Sequence, residues 1–159
     1  RAGGTVVGIA TTEDLCLSGA SLSASTGYVL NPRDPRRSAG GSSSGVAALL
    51  AAGAADEGVG GDQGGSIRIP ASLCGVLGLK PTYGLIPYTG CIPIDVSVDY
   101  LGPMGRRVED VARLLEAVAG YDDGWGLTVG MLLESVHPFG CRETKPPRRV
   151  GFSSPCSRV

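Results

Sequence analysis

Glycine constrains this chain more than any other residue. Of 159 positions, 26 are glycine and 11 are proline. The glycines stand in short clusters between apolar segments, which reads as tight turns and close backbone approaches, because a residue without a Cβ obstructs neither. Two clusters contain serine: Gly40-Gly41-Ser42-Ser43-Ser44-Gly45 and Gly64-Gly65-Ser66-Ile67-Arg68. A chain built this way needs a rigid scaffold on either side of each cluster.

The segments between the clusters supply one. Residues 5–10 (TVVGIA) are β-branched and apolar and read as a buried strand. Residues 15–30 read as loop or short helix, and 31–37 as a turn-rich connection broken by Pro32 and Pro35. The first serine cluster precedes an alanine- and leucine-rich helix over 46–52, stopped by Gly53. Residues 58–62 read as a strand ending at a site. Residues 70–74 read as a short helix with Pro70 in its first turn, and 76–80 as a strand stopped by Pro81. The stretch 83–103 is irregular with strand-like pieces. Residues 108–119 form the clearest helix, with Val108, Val111, Leu115 and Val118 on one face and Gly120 at its end. Strands alternating with helices predict an α/β fold, a mixed β-sheet core flanked by helices. Composition shifts after Asp123: the only Trp, both Phe and the only His lie beyond it. The chain therefore divides into a core over 1–123 and a divergent segment over 124–159, expected to be poorly ordered, in which 149–152 starts one more strand.

Charge and cysteine content exclude several classes. The net charge of -1 argues against direct nucleic-acid binding, which needs a basic face. No apolar run of ~18 residues exists, so no membrane span is expected. Five cysteines with no C-x-x-C pair do not make a disulfide framework or a zinc site. They read as free thiols in a reducing compartment, and with no secretory leader visible the expectation is a cytoplasmic protein. A single histidine, His137, excludes chemistry built on two histidines within the chain.

The serine clusters carry the candidate chemistry. A serine nucleophile needs backbone donors aimed at the developing oxyanion, and successive peptide N–H groups converge only where side chains leave the turn clear. Gln63, Gly64, Gly65 and Ser66 supply four consecutive donors ending on a hydroxyl. Ser42 sits at a helix N-terminus. Three readings fit these residues alone: glycine turns with Ser42 or Ser43 as an N-cap, an anion-binding loop, and a serine site. A Walker loop is excluded because neither cluster has its lysine. Asp62 and Arg68 flank the second cluster, either as two solvated charges or as a pair clamping the turn around Ser66.

The two clusters in order, followed by Cys74-Gly75-Val76-Leu77-Gly78-Leu79-Lys80-Pro81-Thr82, resemble the amidase signature family. Asn31-Pro32, Leu101-Gly102-Pro103 and Val108-Glu109-Asp110 agree with it, so the resemblance runs from about residue 3 to 123. Residues 9–16, 61–70 and 88–90 are most similar to the bacterial amidases that accompany nitrile hydratase. The resemblance implies that Ser66 is the nucleophile and that Ser42, preceded by a cis peptide bond in an intact enzyme, relays its proton. It implies an oxyanion hole from the amides of Gln63, Gly64, Gly65 and Ser66, with Asp62 and Arg68 as support and Tyr88 and Ile92 as candidates for an acyl pocket. The implied activity is hydrolysis of a small-molecule carboxylic amide to acid and ammonia through an acyl-enzyme. It requires no cofactor and no metal; a homodimer is a candidate assembly.

The departures from the family are specific. Ser44 replaces a common glycine. The family's base is a lysine well upstream, yet the only lysines are Lys80, downstream of Ser66, and Lys145. The base segment is expected before Arg1, making the chain a fragment or truncated product, inactive alone. Two alternatives follow: the glutamine-amidase component of a tRNA-dependent amidotransferase, and a truncated, inactive amidase-like protein.

Overall fold

A computed structural model of the chain describes residues 3–120 and 149–153. Its centre is a five-stranded mixed sheet. The strands are β1 (Thr5–Ala10), β4 (Glu57–Asp62), β5 (Leu77–Gly78), β6 (Tyr100–Gly105) and β7 (Arg149–Ser153). Their order is β1-β7-β4-β6-β5. β7 pairs in parallel with both β1 and β4, whereas β6 runs antiparallel to β4 and to β5. The segment expected at 149–152 is thus a strand inside the main sheet. Residues 121–148 and 154–159, most of the expected C-terminal segment, lie outside the described residues. A separate hairpin pairs β2 (Leu30–Asn31) with β3 (Asp34–Ser38), so the turn-rich connection expected over 31–37 holds a short strand.

Period-two alternation along β4 and β6 decides which layer each residue faces. Val59 and Leu101 point to one face, where α3 (Val108–Val118) covers them with Leu114 and Val118. Gly60, Gly102 and Met104 point to the other, against α1 (Ser44–Ala51) and α2 (Arg68–Cys74). Val46, Ala47, Leu50, Ile67, Ala71, Cys74 and Met104 form the main core there. The alanines of α1 keep that helix thin, and the glycines of the strands let it approach.

Gly102 shows how tight this layer is. A Cβ on it would lie well inside contact distance of the Leu79 carbonyl oxygen and 2.8 Å from Ile67 Cδ1. At Gly61 the nearest atom would be 3.8 Å away, an ordinary contact. Gly102→Ala is therefore expected to cost about 3 kcal/mol by overpacking, and Gly61→Ala much less. Denaturant midpoints of the two variants check this; equal midpoints would contradict the packing.

Three sequence expectations need correction. β1 is a strand, but mostly not a buried one: Val6, Val7 and Ile9 are exposed, because β1 is the sheet edge and α1 reaches only its end, where Ala10 is buried. In α3 the buried stripe is Asp110, Val111 and Leu114, and Val108 is 68% exposed. Position 108 overhangs the sheet, while Asp110 is drawn in by hydrogen bonds from Arg107 and Arg113. The strands at 76–80 and within 83–103 are confined to 77–78 and 100–105. No helix among the described residues is long and apolar enough to cross a membrane.

Candidate functional site

Both serine clusters meet at the ends of β4 and α1. The Ser43 amide donates to the Ser66 carbonyl at 3.1 Å, and the Ser43 hydroxyl donates to the Gly61 carbonyl at 3.2 Å. Ser43 occupies the N-cap position of α1 but makes no capping bond, since its hydroxyl is engaged in stitching the two clusters together. The N-cap reading of the first cluster is thereby set aside.

Ser42 is fully buried, and the Gly41–Ser42 peptide is cis. Its carbonyl is pinned by the Glu13 amide at 3.1 Å and the Thr12 hydroxyl at 2.7 Å. Glu13 is itself buried, accepting hydrogen bonds from the amide and hydroxyl of Ser23. The backbone of Ser42 is thus fixed, while its hydroxyl is left over. Ser42 Oγ is a buried side-chain oxygen that makes no hydrogen bond to an oxygen or nitrogen among the described residues. Such a group costs free energy unless something completes it.

The loop between β4 and α2 is organised by Asp62. This wholly buried carboxylate accepts from the Gly65 amide at 2.8 Å and the Ile67 amide at 3.0 Å, satisfying donors at the start of α2. Arg68 completes it with Nε at 3.0 Å and Nη2 at 2.9 Å. Of the two readings of this pair, the clamp is the one observed. Burial alone would raise the Asp62 carboxyl, but Arg68 and the two amides more than offset it and hold it below the usual carboxylate range. Gly65 takes a φ of +138°, which a side chain would resist.

One expectation about the donors changes here. The Gly65 N–H points at Asp62, so in this structure it is committed to that carboxylate. The amides of Gln63, Gly64 and Ser66 have no acceptor among the described residues and are open to a ligand. Ser66 itself is buried beside them.

Cys16, which the sequence reading gave no role in the site, lies beside Ser42. Burial raises the thiol of Cys16 despite the neighbouring hydroxyls of Ser42 and Thr12, and raises Cys91, with Asp99 adding to both. A thiol raised in this way is a poorer nucleophile at neutral pH. Tyr88 is buried and its phenol is driven far up by burial and then by Asp99. Ile92 is 54% exposed, unlike Tyr88. Lys80 is engaged elsewhere: its Nζ lies 3.5 Å from the Tyr100 ring centroid and donates to the Pro81 carbonyl at 2.9 Å. A cavity of about 280 Å³ lies beside Thr11, Thr12, Glu13 and Ser23, but neither Ser42 nor Ser66 lines it. Among the described residues no group of three or more His, Cys, Asp or Glu is placed to hold a metal ion.

Comparison with known proteins gives the site a context. The Amidase family model matches residues 1–153. The chain is 53% identical over 123 residues to an enantioselective amidase of Rhodococcus rhodochrous, covering 76% of this chain and 23% of that protein. It is 48% identical over 121 residues to a glutamyl-tRNA(Gln) amidotransferase subunit from Symbiobacterium thermophilum, covering 76% of this chain and 25% of that protein. Among solved structures, the native peptide amidase of Stenotrophomonas maltophilia superposes with a TM-score of 0.75 at 40% identity, over 80% of this chain and 27% of that one. The chain spans about a quarter of the length of the relatives it matches.

Proposed function

The chain belongs to the amidase signature family, and from that premise we propose that it contributes the nucleophile and oxyanion donors of an enzyme hydrolysing small-molecule carboxylic amides to acid and ammonia. The observation that carries this reading is the buried hydroxyl of Ser42, which lies beside the Cys16 thiol and makes no hydrogen bond to an oxygen or nitrogen among the described residues, held on the segment stitched to Ser66. In this reading Ser66 Oγ attacks the amide carbon, and its proton passes through Ser42 to a base. The oxyanion that forms takes the N–H groups of Gln63, Gly64 and Ser66, already unengaged. Collapse expels ammonia, and water then releases the acid from Ser66.

The open hydrogen-bonding position of Ser42 is where the base belongs. A lysine serves if desolvation lowers its pKa toward neutrality. Lys80 is occupied with Tyr100 and Pro81, so the lysine comes from outside the described residues. Among the described residues Cys16, Cys74 and Cys91 are free thiols, which suits a reducing compartment, and the reading assigns the protein to the cytoplasm.

Glutamine is the competing substrate, because glutamyl-tRNA(Gln) amidotransferase subunits are among the relatives. The test is ammonia release by the intact protein from arylalkyl and aliphatic amides and from glutamine. Turnover of the simple amides without any partner is the expected result. Turnover of glutamine alone, and only with added amidotransferase subunits, would replace this reading with the second one.

A further inference from the structure

The β4–β6 register places two polar residues opposite each other just where the oxyanion loop leaves the sheet. The ladder pairs Gly60 with Gly102, Gly61 with Leu101 and Asp62 with Tyr100. One step further sets Gln63 opposite Asp99, and Gln63 Nε2 donates to Asp99 Oδ1 at 2.5 Å. The second oxygen of Asp99 accepts from the amides of Ile94 at 2.8 Å and Asp95 at 3.1 Å. The Asp99 amide in turn donates to the Asp95 carbonyl at 2.9 Å, closing the turn. Asp99 is buried, and its charge is felt by Cys16, Tyr88 and Cys91.

Gln63 therefore has two ends with different duties. Its backbone amide heads the three unengaged donors, and its side chain is tethered across the sheet. A donor contributes to an oxyanion only when its direction is set in advance. Fixing the side chain restricts the φ and ψ at which that amide leaves β4. Resting on the amide-hydrolysis reading, we propose that Asp99 is a positioning residue: through Gln63 it aims the first oxyanion donor and locks the 94–99 turn to the nucleophile loop.

The test uses the intact protein, with a fluorophosphonate that labels Ser66 and a primary amide substrate. Gln63→Leu keeps a side chain of similar bulk and removes the tether. It should lower kcat roughly 10–100-fold with KM within about twofold, slow labelling in proportion, and lower the denaturant midpoint, since Asp99 Oδ1 is left without its donor in a buried place. Gln63→Glu sets two carboxylates face to face, which resist ionising together. It should fall below the wild-type protein in activity at neutral pH, and the deficit, measured against wild type at the same pH, should narrow as pH falls and the pair takes up a proton. Adding Asp99→Asn should restore activity at neutral pH, because the new amide donates to the carboxylate introduced at position 63 while its oxygen still accepts from Ile94 and Asp95. A purely structural role would give neither the kcat-only loss nor the pH-dependent recovery. Normal labelling and kcat in Gln63→Leu, or no rescue in the double variant, would overturn the proposal alone. Absence of Ser66 labelling in the wild-type protein would overturn the amide-hydrolysis reading and this proposal with it.

Discussion

Replacing Ser66 by alanine is expected to abolish covalent labelling by a fluorophosphonate and to lower amide turnover by roughly 10⁴–10⁶-fold, the loss seen when a nucleophile is removed from a coupled catalytic set. The reason is local. Ser66 is buried next to the unengaged amides of Gln63 and Gly64. Ser42→Ala is expected to slow labelling without removing the site of attachment, since in the proposed mechanism Ser42 passes the proton and does not bond to carbon. Peptide mapping of the labelled protein decides the matter. Full labelling of Ser66→Ala together with none in Ser42→Ala would exchange the two roles.

Asp62→Asn is the second large effect. The carboxylate accepts from three backbone amides, those of Gly65, Ile67 and Arg68, and two guanidinium nitrogens through both of its oxygens. An asparagine in either orientation turns an NH₂ group toward donors and leaves at least two of them unpaired in a buried place. The cost is about 2–3 kcal/mol, moderated because Arg68 is half exposed and recovers hydration. The loop that aims the amides loosens with it, and kcat is expected to fall by about 10²-fold. The sign of the pH dependence follows from the lowered carboxyl. Its stabilisation is fully present above the unfolded carboxylate value of ~3.9 and is lost as pH falls through the lower folded value. Unfolding midpoints of the two proteins should therefore differ by a constant amount at neutral pH and converge in acid. A difference that persists unchanged as pH falls through the range where the folded carboxyl takes up its proton would show that the Asp62 charge does not support the loop.

Much of the fold was legible because its signals are local. The serine cluster before the alanine-rich run, the Pro70 turn and the run ending at Gly120 all sit at the ends of observed helices. The strand over 57–62 ends at the candidate site as its pattern suggested. The misread elements are those in which a neighbour overrides the pattern. Val108 continues the apolar period of its helix, yet the sheet ends before it, and Asp110 is buried in its place. Pro35 argued for a turn, but a two-residue partner strand was enough to make 34–38 a hairpin arm.

The sequence by itself determined the local geometry of the site: glycines where peptide groups must converge, serines at the mouths of two helices, and an Asp and an Arg six positions apart with a turn between them. These follow from what each residue permits its own backbone to do. Tertiary structure decided everything that depends on pairing between distant segments. The antiparallel register of β4 and β6 set Gln63 against Asp99, and the insertion of β7 between β1 and β4 left β1 at the edge. It also decided that the Gly65 amide goes to Asp62, and that the Ser42 hydroxyl is buried with no hydrogen bond to an oxygen or nitrogen among the described residues. A backbone preference acts over three or four residues, whereas strand register and burial are fixed only when the sheet closes and the helices cover it.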